Sequence, residues 1–221
     1  MSLHVFYLHG FASSPESSKA IALMRALEPL GASTHIPDLN QPSFRTLTIT
    51  RMIAQVRGAI DAVETPAGPS PDVVLVGSSL GAFVAVHTAA ADPRVKALVL
   101  LAPALDFGGD ADGRLGHVSI ADWKAAGSAQ VFHYAWNRAE TIDYALYDDA
   151  HRYDAFGVDL QIPILIFQGS ADAVVSPAVV KRWAAARPHV QLEIVPDDHQ
   201  LHASLGRIAD ATKAFVSSVL R

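Results

Sequence analysis

The chain has 221 residues, with 17 Lys and Arg against 22 Asp and Glu, so its formal net charge is −5. Because 50% of the residues are hydrophobic and only 18% are charged, a disordered chain is excluded, and the length suits one large domain or two small ones. The absence of cysteine excludes disulfides, thiolate metal sites and a cysteine nucleophile. A negative net charge without a basic cluster argues against nucleic-acid binding.

Membrane insertion and secretion are not indicated either. The longest clean apolar run, at 97–105, is shorter than the ~20 residues that a transmembrane helix needs. The N-terminal residues contain neither a cationic segment nor a long apolar segment, so no secretory signal is read there. These features predict a cytoplasmic protein without a membrane span.

Short apolar runs alternate with helical patterns along the chain. Strands are predicted at 4–8, 33–36, 72–77, 96–101, 162–167 and 191–195. Helices are predicted at 19–30, 49–63 and 80–91, from Ser176-Pro177 onward, and at 205–220. Because most of the strands are nearly continuous in Val, Ile and Leu and are separated by helices, we predict an α/β fold with a mostly parallel, doubly wound sheet of about six strands.

The stretch at 102–161 interrupts this alternation, because it places 60 residues between two predicted strands. A structureless loop of that length is uncommon in a compact domain, so we expect an inserted cap with its own secondary structure. A short helix is predicted at 119–126 with Ser119 as its cap, and aromatic residues at a spacing of two indicate a strand around 132–136. We interpret residues 1–221 as one domain with a cap at 102–161.

A candidate nucleophile lies where the predicted strand at 72–77 meets the predicted helix at 80–91. Residues 77–81 read G-x-S-x-G, which in this context predicts a sharp strand-to-helix turn. Small residues on either side of Ser79 let the strand and the helix approach closely, so its hydroxyl projects beside the helix N-terminus, whose dipole favours negative charge. We predict Ser79, and not Ser78, as the nucleophile; the alternative is a tight turn whose glycines serve packing alone.

The base and the orienting acid that a serine nucleophile needs follow later in the chain. Asp172 comes just after the predicted strand at 162–167, and His199 comes just after the strand at 191–195. Open α/β sheets place their sites at such strand ends, and the order Ser, Asp, His is that of this class of triad. We therefore predict Asp172 as the acid and His199 as the base, with Asp106 and His202 as their rivals.

Two backbone N–H groups are candidates for an oxyanion hole. The first predicted strand ends in His9-Gly10-Phe11, and a turn there can direct the N–H of Phe11 at the site. The N–H of Leu80, the residue after the nucleophile, is the second candidate donor. We expect His9 to brace this loop rather than to take part in the chemistry.

Other functions stay open at this point. One alternative is a non-catalytic ligand-binding module on the same fold, and another is a hydrolase of amide or carbon–carbon bonds with the same triad. A metal site built from Asp197, Asp198, His199 and His202 is a further candidate, but no third protein ligand is evident elsewhere. We predict no metal and no organic cofactor.

The residues at 9–20, HGFASSPESSKA, resemble the start of the small bacterial YqiA-like esterases, which also carry a GSSLG turn like that at 77–81. The wider resemblance, to the α/β-hydrolase superfamily, spans essentially the whole chain. It implies the α/β-hydrolase fold and hydrolysis of carboxylic esters, with thioesters as a further class. The roles implied for the nucleophile, acid, base and oxyanion amides fall on Ser79, Asp172, His199, Phe11 and Leu80.

The chain departs from these relatives in two places. Ala82 stands where relatives often have a second glycine, and the insertion at 102–161 is longer than the most compact members need. We expect the insertion to cover the strand ends, where its aromatic side chains either line a substrate pocket or form the insertion's own core: Trp123, Phe132, Tyr134 and Trp136. The expected partner is a small ester or thioester, and the oligomeric state is left open.

Overall fold

The computed structural model describes residues 2–63, 71–109, 114–115 and 117–219. Its strands are β1 (Leu3–Leu8), β2 (Ser33–His35), β3 (Asp72–Ser78), β4 (Val95–Leu101), β5 (Arg114–Leu115), β6 (Val118–Ser119), β7 (Ser128–His133), β8 (Arg138–Asp143), β9 (Ile164–Gly169) and β10 (Val190–Val195). Its α-helices are α1 (Ser18–Leu27), α2 (Ile49–Asp61), α3 (Leu80–Ala91), α4 (Ile120–Ala126), α5 (Ala145–Ala150), α6 (Pro177–Ala185) and α7 (Leu205–Val219).

Six of the strands form one central sheet in the order β10-β9-β4-β3-β1-β2, and every neighbouring pair is parallel. Most of these strands are rich in Val, Ile and Leu because helices cover both faces of the sheet. The pairing of Ser78 with Leu101 shows that β3 and β4 end at the same edge. The mostly parallel sheet of about six strands that the sequence predicts is confirmed.

Alternate side chains of the strands pack into two cores on opposite faces of the sheet. Helices α1 and α7 cover one face, while α2, α3, α6 and the insertion cover the other. Helix α3 is buried around nearly its whole circumference, as expected for a helix that is apolar on all sides. In the described ranges, no helix combines the length and the hydrophobicity that crossing a membrane would require.

The ends of α1 follow from its local sequence. The Ser17 hydroxyl accepts a hydrogen bond from the Ala20 N–H at 3.4 Å, which is typical of an N-cap. The helix predicted to run to residue 30 ends instead at Leu27, because Pro29 lacks a backbone donor and the chain continues as a short 3-10 helix. Gly31 then takes the left-handed conformation, with φ 71°, that commonly ends a helix.

The insertion between β4 and β9 contains two antiparallel strand pairs and the helices α4 and α5. Residues 110–113 and 116 of the predicted cap lie outside the described residues. Helix α4 begins after Ser119, whose hydroxyl accepts from the Asp122 N–H at 3.3 Å, so the predicted cap residue is confirmed.

The strand predicted around residues 132–136 is wrong in part. Phe132 belongs to β7, but residues 134–137 form the turn that leads into β8. Asn137 takes a left-handed conformation there, with φ 50°, and the chain reverses. A spacing of two between aromatic residues is shared by strands and by such turns, so the sequence pattern could not separate them.

Candidate active site

Ser79 lies in the sharp turn between β3 and α3, with backbone angles φ 52° and ψ −115°. Residues other than glycine seldom take a positive φ, so the surrounding contacts must hold this conformation. The Ser79 N–H donates to the Leu101 carbonyl oxygen of β4 at 2.8 Å, and the Ser79 carbonyl accepts from the Ala82 N–H at 3.0 Å. The turn is therefore fixed from both sides, and it leaves Ser79 half-buried at the edge of the sheet.

Two glycines allow this turn to pack tightly. A β-carbon on Gly77 would lie 2.5 Å from the Ala82 α-carbon, and one on Gly81 would overlap the carbonyl oxygens of Leu8 and His9. Neither glycine has a positive φ, so the requirement is for space rather than for backbone freedom. The start of α3 thus packs directly on the ends of β1 and β3, which explains the G-x-S-x-G pattern.

His199 follows β10 and contacts both other members of the predicted triad. Its Nε2 lies 3.1 Å from the Ser79 Oγ, and its Nδ1 lies 2.9 Å from the Asp172 Oδ2. Because a carboxylate only accepts hydrogen bonds, Nδ1 carries the proton in this arrangement, and Nε2 is left to accept from the serine hydroxyl. Side chains that follow β3, β9 and β10 therefore form one hydrogen-bonded chain.

The Asp172 carboxylate is almost fully buried and accepts four hydrogen bonds. Oδ1 accepts from the N–H groups of Val174 and Val175, both at 2.8 Å, and Oδ2 accepts from His199 and from the Gln168 amide at 2.9 Å. Burial opposes ionisation, but the hydrogen bonds, led by that from His199, outweigh it and hold the pKa of Asp172 below its usual range. The site thus contains an ionised and fixed carboxylate.

The loops after β9 and β10, which carry Asp172 and His199, are bonded to each other through the backbone. The Ala171 N–H donates to the Asp197 carbonyl oxygen at 3.0 Å. A β-carbon on Gly169 would overlap that same carbonyl oxygen, so the two loops are in close contact. This packing fixes the carboxylate and the imidazole relative to each other.

Phe11 and Leu80, the residues of the predicted oxyanion donors, both line a cavity of about 10 Å³. That volume is close to the minimum that one water molecule occupies. Within the described residues, neither backbone N–H donates a hydrogen bond to a protein acceptor. An oxyanion donor must have no protein acceptor, and both N–H groups meet that condition within the described ranges.

His9 fixes the peptide that carries the Phe11 N–H. Its Nδ1 lies 3.0 Å from the Gly10 carbonyl oxygen and donates to it, and its Nε2 accepts from the Leu39 N–H, also at 3.0 Å. Because the N–H and C=O of a trans peptide point in opposite directions, a fixed Gly10 carbonyl also sets the direction of the Phe11 N–H. These contacts are those of a residue that braces the loop.

The rival residues make other contacts. His202 is exposed, and its Nε2 lies 3.2 Å from the Ser18 hydroxyl. The Asp197 carboxylate accepts backbone hydrogen bonds within its own loop, and Asp106 is not among the groups bonded to His199. In the part of the chain that the structure describes, no group of three or more His, Asp or Glu residues is arranged to hold a metal ion. The geometry around His199 therefore does not support the alternative metal site.

Trp123, one of the four aromatic residues considered for a substrate pocket, lies in the core of the insertion. It is 1% exposed, and its indole N–H donates to the Ile142 carbonyl oxygen at 3.0 Å. Its ring meets that of Tyr144 edge to face at 5.6 Å. Of the two roles open from the sequence, these contacts correspond to packing within the insertion.

The other three aromatic side chains, Phe132, Tyr134 and Trp136, lie on the hairpin of β7 and β8. They are 49%, 74% and 38% exposed, respectively. The turn of this hairpin reaches the loop after β1, where the Ala135 N–H donates to the Ala12 carbonyl oxygen at 3.4 Å. This exposed aromatic group therefore stands beside the loop that carries the first predicted oxyanion donor.

Two polar residues next to the site were not predicted from the sequence. Gln168 donates to Asp172, and Tyr7 places its hydroxyl near the hydroxyls of Ser78 and Ser17. Burial raises the pKa of Tyr7, so its phenol stays protonated. Both residues lie near the C-terminal end of a strand. Gln168 is the one polar side chain of β9, and a lone polar group in that position is the signal that could have found it.

Comparisons with known proteins place the chain among related sequences and folds. Residues 4–217 match the model of an uncharacterised protein family, UPF0227, and no curated protein matches the chain. Est1E from Butyrivibrio proteoclasticus, in its structure with ferulic acid bound, is 19% identical with a TM-score of 0.86, over 100% of this chain and 90% of that one. The mouse alpha/beta hydrolase domain-containing protein 10 is 21% identical with a TM-score of 0.77, over 98% and 90% of the two chains. At these identities the similarity establishes the fold.

Proposed function

The chain belongs to the uncharacterised protein family UPF0227 and has the α/β-hydrolase fold, and on this basis we propose that it is a serine hydrolase that cleaves carboxylic esters through an acyl-enzyme. Thioesters are a second substrate class for the same chemistry, because their acyl carbon is open to the same attack. The proposed reaction uses side chains and backbone amides alone.

The observation that carries the proposal is the hydrogen-bonded chain from Ser79 through His199 to Asp172, with distances of 3.1 and 2.9 Å. A serine hydroxyl is a weak nucleophile unless a base takes its proton, and the base needs its other nitrogen anchored to hold the correct tautomer. If the turn served packing alone, it would not require an imidazole within hydrogen-bond distance of Ser79, or a buried carboxylate bonded to the other side of that imidazole.

In the first half of the proposed reaction, the Ser79 Oγ attacks the carbonyl carbon of the ester while the His199 Nε2 takes the hydroxyl proton. The carbonyl electrons move to the oxygen, whose negative charge is held by the N–H groups of Phe11 and Leu80. Asp172 stays ionised and stabilises the imidazolium. The intermediate then collapses, the bond to the alkoxy oxygen breaks, and His199 protonates the leaving alcohol.

In the second half, water takes the place of the alcohol. His199 removes a proton from the water molecule while the water oxygen attacks the acyl carbon of the acyl-enzyme. The second tetrahedral intermediate expels the Ser79 oxygen, which recovers its proton from His199. The products are a carboxylic acid and the free enzyme, so the cycle needs no other reactant.

The function is tested by covalent labelling together with a substrate panel. A fluorophosphonate probe should label the wild-type protein at Ser79 and should leave Ser79→Ala unlabelled. The panel compares short and long acyl esters, acyl thioesters and matched amides, with Ser79→Ala as the control. Turnover of esters or thioesters that Ser79→Ala lacks is the expected result. A labelled protein that turns over amides alone would contradict the ester proposal. A protein that is not labelled and turns over no substrate of the panel would be a binding module.

For the substrate side, we propose that the insertion at 102–161 caps the strand ends and that Phe132, Tyr134 and Trp136 contact the substrate from the rim. The support is their exposure and the contact of their hairpin with the loop after β1. Est1E, which shares the fold, binds ferulic acid, an aromatic acid, so aromatic acyl esters belong in the panel. Trp136→Ala should raise KM for aromatic acyl esters more than KM for acetyl esters.

A further inference from the structure

Gln168 brings an amide group into the buried end of β9. It is 0% exposed, and its Nε2 lies 2.9 Å from the Asp172 Oδ2, 3.2 Å from the Gly169 carbonyl oxygen and 3.4 Å from the Val175 carbonyl oxygen. All three neighbours are acceptors. The amide must therefore present its NH2 group to them, because the reverse orientation would place its oxygen against a carboxylate and two carbonyls.

The other end of the same amide has no partner. The Gln168 Oε1 is buried and accepts no hydrogen bond from any described residue. A buried acceptor without a partner bears the cost of losing water, which an apolar side chain of the same size would avoid. Packing alone thus gives no reason for an amide at position 168, and the half of the side chain that makes contacts is its NH2 group.

We propose that Gln168 is a positioning residue that holds the Asp172 Oδ2 at the point where the His199 Nδ1 meets it. The inference rests on the proposed function, because it concerns how Ser79 is activated. Two backbone N–H groups already fix the other carboxylate oxygen, Oδ1. Gln168 fixes Oδ2, whose other hydrogen bond among the described residues is to the imidazole, so without Gln168 the carboxylate can turn and the imidazole loses its fixed orientation.

The substitution Gln168→Met tests this role, since it keeps the length of the side chain and removes both the NH2 group and the unpartnered oxygen. The rate at which a fluorophosphonate labels Ser79 measures the activation of the serine, whatever the natural substrate is. We expect labelling to slow by at least about tenfold, because a small misplacement of a catalytic group is costly. The thermal midpoint should fall by only a few degrees, because loss of the NH2 group takes a hydrogen bond from Asp172 while loss of the unpartnered oxygen offsets part of that cost.

The same substitution in a protein that already carries Asp172→Ala distinguishes a positioning role of Gln168 from a general effect on the structure. If Gln168 acts through Asp172, then Gln168→Met should change the labelling rate by less than about twofold in a protein that already carries Asp172→Ala. Thr212→Val is the matched control, because Thr212 is fully buried on α7 and its hydroxyl also lacks a partner among the described residues. That variant should label at the wild-type rate.

The outcomes are distinct. Wild-type labelling in folded Gln168→Met, or an equal loss in both backgrounds, would overturn the positioning role. If Gln168→Met does not fold, Gln168→Glu is the deciding variant, because it keeps the shape of the side chain but turns a carboxylate toward Asp172. Ser79 of Gln168→Glu should be labelled more slowly than Ser79 of the wild type. An equal labelling rate would contradict the positioning role. Labelling without turnover of any ester or thioester contradicts the proposed function alone, and a wild-type protein that does not label overturns both.

Discussion

A β-carbon added to Gly10 would lie 3.3 Å from the β-carbon of Ser79 and 3.1 Å from the carbonyl oxygen of Ser78. The loop after β1 therefore touches the turn that presents the proposed nucleophile. Gly10 does not have a positive φ, so its need for glycine is spatial. The position of the proposed oxyanion donor and the position of the serine are set by the same contact.

We predict that Gly10→Ala lowers kcat/KM for esters about tenfold, because the added methyl group must displace either the loop or the turn by a few tenths of an ångström. Gly58→Ala is the control, since nothing lies within 4 Å of a β-carbon at that position of α2. It should keep full activity and raise stability by about 0.5–1 kcal/mol. Steady-state kinetics and thermal unfolding of both variants measure this, and unchanged kinetics in Gly10→Ala would contradict the contact.

The two serines of the turn should differ sharply. Ser79→Ala should abolish ester turnover, because the proposed nucleophile is lost. Ser78→Ala should keep much of the activity, because the Ser78 side chain is buried in β3 and is not among the groups bonded to His199. Kinetics of each variant check this, and an inactive Ser78→Ala beside an active Ser79→Ala would mean that the register of the turn is misread.

Replacement of His9 should weaken the proposed oxyanion hole without removing a donor. In His9→Phe the ring remains, but the hydrogen bonds to the Gly10 carbonyl and from the Leu39 N–H are lost. Loss of a whole oxyanion donor costs roughly 10²–10³ in kcat, so a donor that is merely loosened should cost about tenfold. His202→Ala, at an exposed histidine, should leave kcat within about twofold. Equal kcat values for the two variants would contradict the bracing role.

Because the pKa of Asp172 is lowered in the folded protein, the stability of the protein should depend on pH. A carboxyl group with a lower pKa in the folded state contributes stability that is fully present above its unfolded value, near ~3.9, and is lost as the pH falls through the folded value. Wild-type stability should therefore fall more steeply below about pH 4 than that of Asp172→Asn. Urea denaturation of the two proteins across this range measures the difference, and parallel curves would show that the hydrogen bonds to Asp172 do not lower its pKa.

Most of the sheet could be predicted from the sequence because buried parallel strands have a strong signature. The runs DVVLVG and KALVLL contain little but branched apolar residues, and turn residues bound them on both sides. The ends of elements were less certain, as at α1, where Pro29 ends a helical pattern that the apolar spacing alone would have continued. The hairpin of the insertion was missed because its turn depends on the backbone conformation of Asn137.

The residues brought together at Ser79 were predicted because chemistry restricts them to a few residue types at strand ends. The contacts around them could not be predicted in the same way. That Gln168 donates to Asp172, and that His9 fixes the Gly10 carbonyl, depends on side-chain directions and on distances of about 3 Å. Many polar residues in the chain have equal potential for such bonds, and only the fold selects among them.

Among the strands that the structure describes, β10 lies at the edge of the sheet and pairs with β9 alone, whereas β3 is paired on both sides. Border strands generally open at a lower free energy than central ones, so amide hydrogens of β10 should exchange before those of β3. The imidazole thus follows an edge strand of the sheet, and the serine follows a central one. Under mild heating, activity would be lost when β10 detaches and His199 moves away from Ser79. The rest of the sheet would stay folded, and Ser79 would be intact but without its base.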